Sequence, residues 1–183
     1  MGQKHIKLIL PVLILLCGCV SHKEAMKVFG NASYVIEDPL YGEKVTLVDG
    51  AYRGKPLKVY YKDQYTYGDF NHDGLKDGAA ILGEITEGNQ FWYFLAFLIN
   101  DGQKLVHQAS IYLDDRAIIN SVSTKNDKVF IDLYVHRHGD CMAGPTKRVK
   151  GLYEYPGPGK YTEGIEVEAW SDDEQPAPLA AAK

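Results

Sequence analysis

The segment Phe91-Trp92-Tyr93-Phe94-Leu95-Ala96-Phe97-Leu98-Ile99 is apolar at every position. A β-strand sends alternate side chains to opposite faces, so a strand apolar on both belongs inside a sheet with a layer packed on each side. Strand-like sequence also fills residues 45–48, 57–61, 64–67, 79–85, 105–113, 117–122, 128–136 and 149–155. The separators are short and turn-like: Asp49-Gly50, Glu87-Gly88-Asn89, Asn100-Asp101-Gly102, Asp114-Asp115 and Lys125-Asn126-Asp127. Such loops join antiparallel neighbours only, because parallel strands need a crossover of roughly a dozen residues or more. In residues 128–136, Val129, Ile131, Leu133 and Val135 share one face, and Lys128, Asp132, Tyr134 and His136 share the other, predicted to be wetter. Thirteen Tyr against six Phe and two Trp agree with a sheet-rich chain. The expected fold is all-β: an antiparallel meander sheet or partly closed barrel, preceded by a short N-terminal helix or tether.

The ends read differently from the middle. Lys4 and Lys7 precede the apolar run 8–16, which is too short to span a bilayer and has the form of a secretion signal. The sequence Leu16-Cys17-Gly18-Cys19 that follows resembles the lipobox of bacterial lipoproteins. The resemblance implies cleavage after Gly18, a signal peptide at 1–18 and acylation of Cys19, and several acyl chains hold a protein stably to a membrane. Val20 is not the Asp that favours inner-membrane retention in enteric-type sorting, so the resemblance implies an outer-membrane lipoprotein facing the periplasm. Cys141 is then left alone and no internal disulfide is expected. Residues 19–43 are expected as a tether. Within it Ser21-His22-Lys23-Glu24 fits a capping box and Gly30 a helix end, so one or two turns of helix over 22–29 and a plain flexible spacer are equal alternatives. The β domain is expected at 44–162. Residues 163–183 carry six acids against one Lys and a Pro/Ala-rich end, the composition of an acidic, disordered tail. Residues 27–162 are nearly neutral and the whole chain has a net charge of -4, which excludes non-specific nucleic-acid binding.

The richest chemistry lies in Asp69-Phe70-Asn71-His72-Asp73-Gly74-Leu75-Lys76-Asp77. Oxygen side chains fall at positions one, three, five and nine with Gly at six, so one tight loop can offer a hard cation most of its ligands. Asp69, Asn71 and Asp73 would supply side-chain oxygens, Leu75 its carbonyl, and Asp77 would close the site. An EF-hand wants a bidentate Glu at position twelve, where this chain has Ala80, and both flanks are strand-like. The segment looks like the FG-GAP/VCBS type of calcium loop, in which the ninth-position Asp is the closing ligand. A single copy implies a local site and not a propeller. The alternative is an Asp/Asn/Gly turn without metal, whose gathered carboxylates would repel unless solvent screens them. The expected ion is calcium, weakly held and structural. Over roughly 44–155 the order of this loop, the aromatic strand, Tyr112-Leu113-Asp114-Asp115-Arg116-Ala117, a Cys/Pro loop and a final Tyr strand is similar to a group of functionally uncharacterised bacterial secreted or lipid-anchored proteins.

Other clusters are less specific. His136-Arg137-His138-Gly139-Asp140-Cys141 gathers metal-ligand and nucleophile types, and His136 and His138 would share a strand face, as zinc requires. A strand end running into a polar loop explains the same residues. Asp114-Asp115-Arg116 reads as a hairpin turn, and Tyr60, Tyr61, Tyr65 and Tyr67 as cross-strand packing or a sugar or peptide platform. No nucleophile elbow, zinc-protease helix, phosphate loop or dinucleotide fingerprint occurs. The expected function is thus a non-catalytic binding or scaffold domain, anchored by lipid in the cell envelope. Its expected partners are the membrane and an envelope protein or peptidoglycan. The alternative from another class is a metal-dependent or thiol hydrolase using His136, His138, Asp140 and Cys141.

Overall fold

The structure is a computed structural model describing residues 21–36, 43–86, 91–137, 139–141, 144–163 and 168–169. The expected signal peptide, Cys19, His138 and most of the acidic tail lie outside the described residues.

The chain enters through helix α1 (His22–Val28), which starts where the capping box predicts: the Ser21 hydroxyl accepts the Glu24 N–H at 3.3 Å. Strands β1 (Ser33–Ile36) and β2 (Glu43–Thr46) follow as an antiparallel pair. Ala25, Phe29, Tyr34, Ile36, Val45 and Leu47 are all buried in one cluster. Within the span expected as a tether, the described residues 21–36 pack against the sheet and cover part of its core. The reason lies in partners distant in sequence. The Phe29 ring stands 5.3–5.9 Å from the rings of Tyr61, Tyr65 and Tyr67, and fully burying a Phe contributes about 2–3 kcal/mol.

The central layer is a six-stranded sheet. It contains β3 (Ala51–Arg53), β4 (Lys58–Gly68), β5 (Asp77–Ile85), β6 (Phe91–Asn100), β7 (Leu105–Asp115) and β11 (Lys160–Glu163), in the order β11-β7-β6-β5-β4-β3. The strands from β3 to β7 pair antiparallel with their sequence neighbours, as the short turns require. β11 pairs parallel with β7, after a long excursion through the second sheet. β6 lies inside, as its two apolar faces predict. Phe94, Ala96 and Leu98 enter the core under α1 and the β1–β2 pair, while Leu95 and Phe97 enter a second core on the opposite face. β5 divides likewise, sending Ala80 and Leu82 one way and Ala79 and Ile81 the other. Gly78 lets α1 settle on the sheet, since a Cβ there would stand 2.7 Å from the Phe29 ring.

The second core is closed by a four-stranded sheet in the order β12-β10-β9-β8: β8 (Ile118–Lys125), β9 (Lys128–Val135), β10 (Lys147–Tyr153) and β12 (Glu168–Ala169). Val129, Ile131 and Leu133 of β9 are buried in this core, as their alternation predicts. On the other face Asp132 is held by Arg148 at 2.7 and 3.0 Å and by Asn120 at 3.0 Å. Side chains join the two large sheets where β4 meets β8. Thr124 donates to the Tyr67 carbonyl at 2.7 Å, so Thr66 is the donor in the 2.8 Å contact between their hydroxyls. Among the described residues no sheet closes on itself; the fold is a set of stacked antiparallel-rich sheets, not a barrel. β12 adds to the edge of β10 within the segment expected as tail.

Candidate functional site

The loop between β4 and β5 is organised by its own acids. Asp69 accepts the N–H groups of Asp73 and Gly74, each at 3.0 Å. Asp73 accepts the Leu75 N–H at 2.8 Å and the Asn71 side-chain amide at 2.7 Å. The Asn71 side-chain oxygen Oδ1 accepts the Asp73 N–H at 3.2 Å. His72 and Gly74 adopt positive φ of 61° and 84°, which turns the chain tightly enough for these bonds. The structure therefore brings Asp69, Asn71 and Asp73 together in one turn, with Asp73 and Leu75 exposed.

Asp77 is used differently. It is fully buried, and one of its oxygens accepts the Phe70 N–H at 2.8 Å and the Asn71 N–H at 3.4 Å. The other accepts the Asn100 N–H at 2.8 Å from the end of β6. The carboxylate thus latches the start of the loop, the start of β5 and the end of β6 with charge-assisted bonds. Asn100 adds a bond from its side-chain amide to the Lys76 carbonyl at 3.2 Å. In the sequence Asn100 is visible only as part of a turn; no local signal marks it as a partner of Asp77.

The donor set matches a hard cation in part. Asp69, Asn71 and Asp73 each accept amide hydrogens yet keep lone pairs, and the Leu75 carbonyl lies in the same turn. Asp77 is committed to backbone amides. Among the described residues no group of three or more His, Cys, Asp or Glu is placed to hold a metal ion. Calcium at this loop would rest on Asp69, Asn71, Asp73, Leu75 and water, with Asp77 supporting the loop from below.

The segment considered for hydrolysis is built around two structural acids. Asp140 accepts N–H bonds from Arg137 at 2.8 Å and Thr146 at 2.9 Å, and the Thr146 hydroxyl at 2.8 Å. The Arg137 amide, with Thr146, holds the Asp140 carboxyl below the usual carboxylate range. Asp114, at the end of β7, accepts both the backbone N–H of His136 and, at 3.0 Å, its Nδ1. The His136 Nε2 is buried without a hydrogen-bond partner among the described residues. Cys141 is exposed. Asp115 and Arg116 make a half-buried ion pair at 2.6 Å, and Arg116 ties back through its N–H to the Phe91 carbonyl.

A second polar cluster has no signature in the sequence. The backbone N–H of Val35 donates to His107 Nδ1 at 3.1 Å, so the ring proton lies on Nε2 and is donated to the Ser110 hydroxyl at 2.9 Å. Ser110 therefore faces no basic nitrogen that could draw off its proton, and His107 acts as a pin between β1 and β7. Burial pushes the His107 pKa down to about 4, so the ring is neutral at ordinary pH.

Comparison with family models, curated proteins and solved structures finds no match.

Proposed function

We propose that this chain is a non-catalytic binding or scaffold protein of the bacterial envelope, anchored by lipid on Cys19 and facing the periplasm, with the loop at 69–77 as a weak structural calcium site. The observation that carries the calcium reading is the convergence of Asp69, Asn71 and Asp73 within one turn whose backbone is already shaped by bonds to those acids. An ion there would add to a preformed loop and offset the repulsion between two nearby carboxylates. With only two acids in the turn, each already accepting amide hydrogens, and no bidentate Glu, affinity belongs with the roughly 10⁻⁴–10⁻³ M of extracellular modules. The anchor reading is supported by the order of basic start, apolar run and Leu16-Cys17-Gly18-Cys19. The binding reading is favoured over hydrolysis because both oxygens of Asp140 are engaged in capping a loop, through the amides of Arg137 and Thr146 and the Thr146 hydroxyl.

Two independent measurements test these readings. Melting of the full chain in millimolar calcium against chelator should show a rise with the ion, and Asp73→Ala should abolish it; identical melts in both buffers would remove calcium from the account. Detergent-phase partitioning of the full chain made in a Gram-negative host should place it in the detergent phase. Cys19→Ser should move it to the aqueous phase, and a Cys19→Ser protein that still partitions with detergent would sink the anchor.

A further inference from the structure

Helix α1 has no room to swing on the sheet. Ala25 and Phe29 are fully buried. The Phe29 carbonyl accepts the Tyr34 hydroxyl at 2.8 Å, the Gly30 carbonyl accepts the Gly50 N–H at 2.8 Å, and the Met26 carbonyl accepts the Asn31 side-chain amide at 3.0 Å. The four residues before Ala25, Ser21 to Glu24, are exposed. At that end His22 Nδ1 lies 3.9 Å from the Asp63 carboxylate. Asp63 sits at φ 57° within the register shift of β4 between Tyr61 and Tyr65. β3 and the turn before it bond β4 as far as Tyr61, and the side-chain bonds from β4 to β8 begin at Gln64. Among the described residues, Lys62 and Asp63 therefore form an open stretch of the sheet's edge, next to the start of α1. Asp63 also borders a shallow patch that includes Tyr60, Ile85 and Phe91, which are half-buried and belong to neither hydrophobic cluster.

We propose that this edge, from the start of α1 through the β4 bulge to the patch beside it, rests on the headgroups of the membrane that holds Cys19. The proposal rests on the anchor reading and goes beyond it by fixing how the domain stands on the lipid. Two peptide units join Cys19 to Ser21, a span of at most about 7 Å. The polar layer of a bilayer is roughly 5–7 Å deep on each side, so a lipid-bearing Cys19 holds Ser21 no farther out than the margin of that layer. Because α1 is fixed to the sheet from Ala25 onward, the domain cannot retreat from the surface on a loose spacer. The side chains brought down suit the setting. Exposed Lys23 brings an ammonium to the lipid phosphates, while Lys27 is already paired with Glu24 at 3.6 Å. Half-buried aromatic rings such as Tyr60 and Phe91 are favoured at the headgroup level. The opposite edge of the sheet, β11, lies four strand spacings from β4, about 19 Å away. The sheet thus stands on its β4 side, with β11 away from the lipid.

The test is the distance of two surface positions from the lipid. Cys141→Ser removes the exposed thiol, and a nitroxide is attached at Lys23→Cys or at Lys160→Cys, both exposed positions. The full lipid-bearing chain is then placed in vesicles of phosphatidylethanolamine and phosphatidylglycerol that contain a small fraction of nickel-chelating lipid. Nickel at the headgroups should speed the relaxation of the Lys23→Cys label several-fold more than that of the Lys160→Cys label, and melting curves identify any variant that has lost its fold. Equal relaxation at the two sites, in a chain that floats with the vesicles, overturns the contact and leaves the anchor standing. A chain that does not float with them sinks the anchor reading, and the contact with it. A spacer of roughly twelve Gly and Ser residues between Val20 and Ser21, with a mean span of about 19 Å, should remove the difference between the labels. A difference that survives the spacer overturns the short tether as its cause.

Discussion

Asp77→Asn replaces the latch carboxylate with a group of the same size that can accept on only one arm. If its oxygen keeps the Phe70 and Asn71 amides, its NH₂ faces the Asn100 N–H, and two donors meet in a buried site. The loss comprises one unsatisfied buried N–H and the weakening of the remaining bonds from charged to neutral, about 3 kcal/mol in all. Asp77→Ala, which orphans every donor and opens a small cavity, should cost roughly 4–6 kcal/mol. Urea unfolding of the full chain measures both, and a loss of ~3 kcal/mol moves the midpoint by roughly 1.5 M at an m-value typical of a domain this size. Chelator separates the latch from the ion. The Asp77→Asn loss should be the same in calcium and in chelator, because the bonds involved are to backbone amides, whereas Asp73→Ala, which gives up its bonds to Leu75 and Asn71 in either buffer, should cost more in calcium than in chelator. A midpoint shift below about 0.3 M for Asp77→Asn, or one that vanishes in chelator, would refute the latch and return Asp77 to the role of an ion ligand.

Three further outcomes follow from the packing and the titrating groups. Phe29→Ala should cost about 3–4 kcal/mol in the same unfolding measurement, whereas a helix that merely spaced the domain from the membrane would make it neutral. His107 has a folded pKa depressed to about 4, so from pH 6.5 to 4 the unfolded chain takes up a proton that the folded chain refuses, and roughly 3 kcal/mol of stability is lost over that window. His107→Asn, whose side-chain oxygen can still accept the Val35 N–H, should flatten this slope; a variant with the wild-type slope would show that the titration lies elsewhere. Arg148 is first among the causes that hold the Asp132 carboxyl below its usual range, so its stabilisation is present above the unfolded pKa near 4 and lost as pH falls below it. Arg148→Met should therefore cost about 2 kcal/mol at pH 7 and progressively less below about pH 4, and a cost independent of pH would count against the charge pair.

The sequence by itself determined the properties that depend on near neighbours. Two-faced apolarity placed the strand at 91–100 inside a sheet, and alternation set which face of the strand at 128–135 is buried. The spacing of Asp69, Asn71 and Asp73 brought them into one turn, because turn geometry acts over a few residues. Tertiary structure decided what depends on residues distant along the chain. Phe29 is a core residue only because Tyr61, Tyr65 and Tyr67 and the bare backbone of Gly78 receive it. Asp77 turns from the loop toward an amide 23 residues away, and His107 takes its donor from a strand 72 residues earlier. A carboxylate or imidazole has the same covalent form whether it meets an ion, a backbone N–H or water. What it does is set by the donors that folding brings to it, and no local pattern records them.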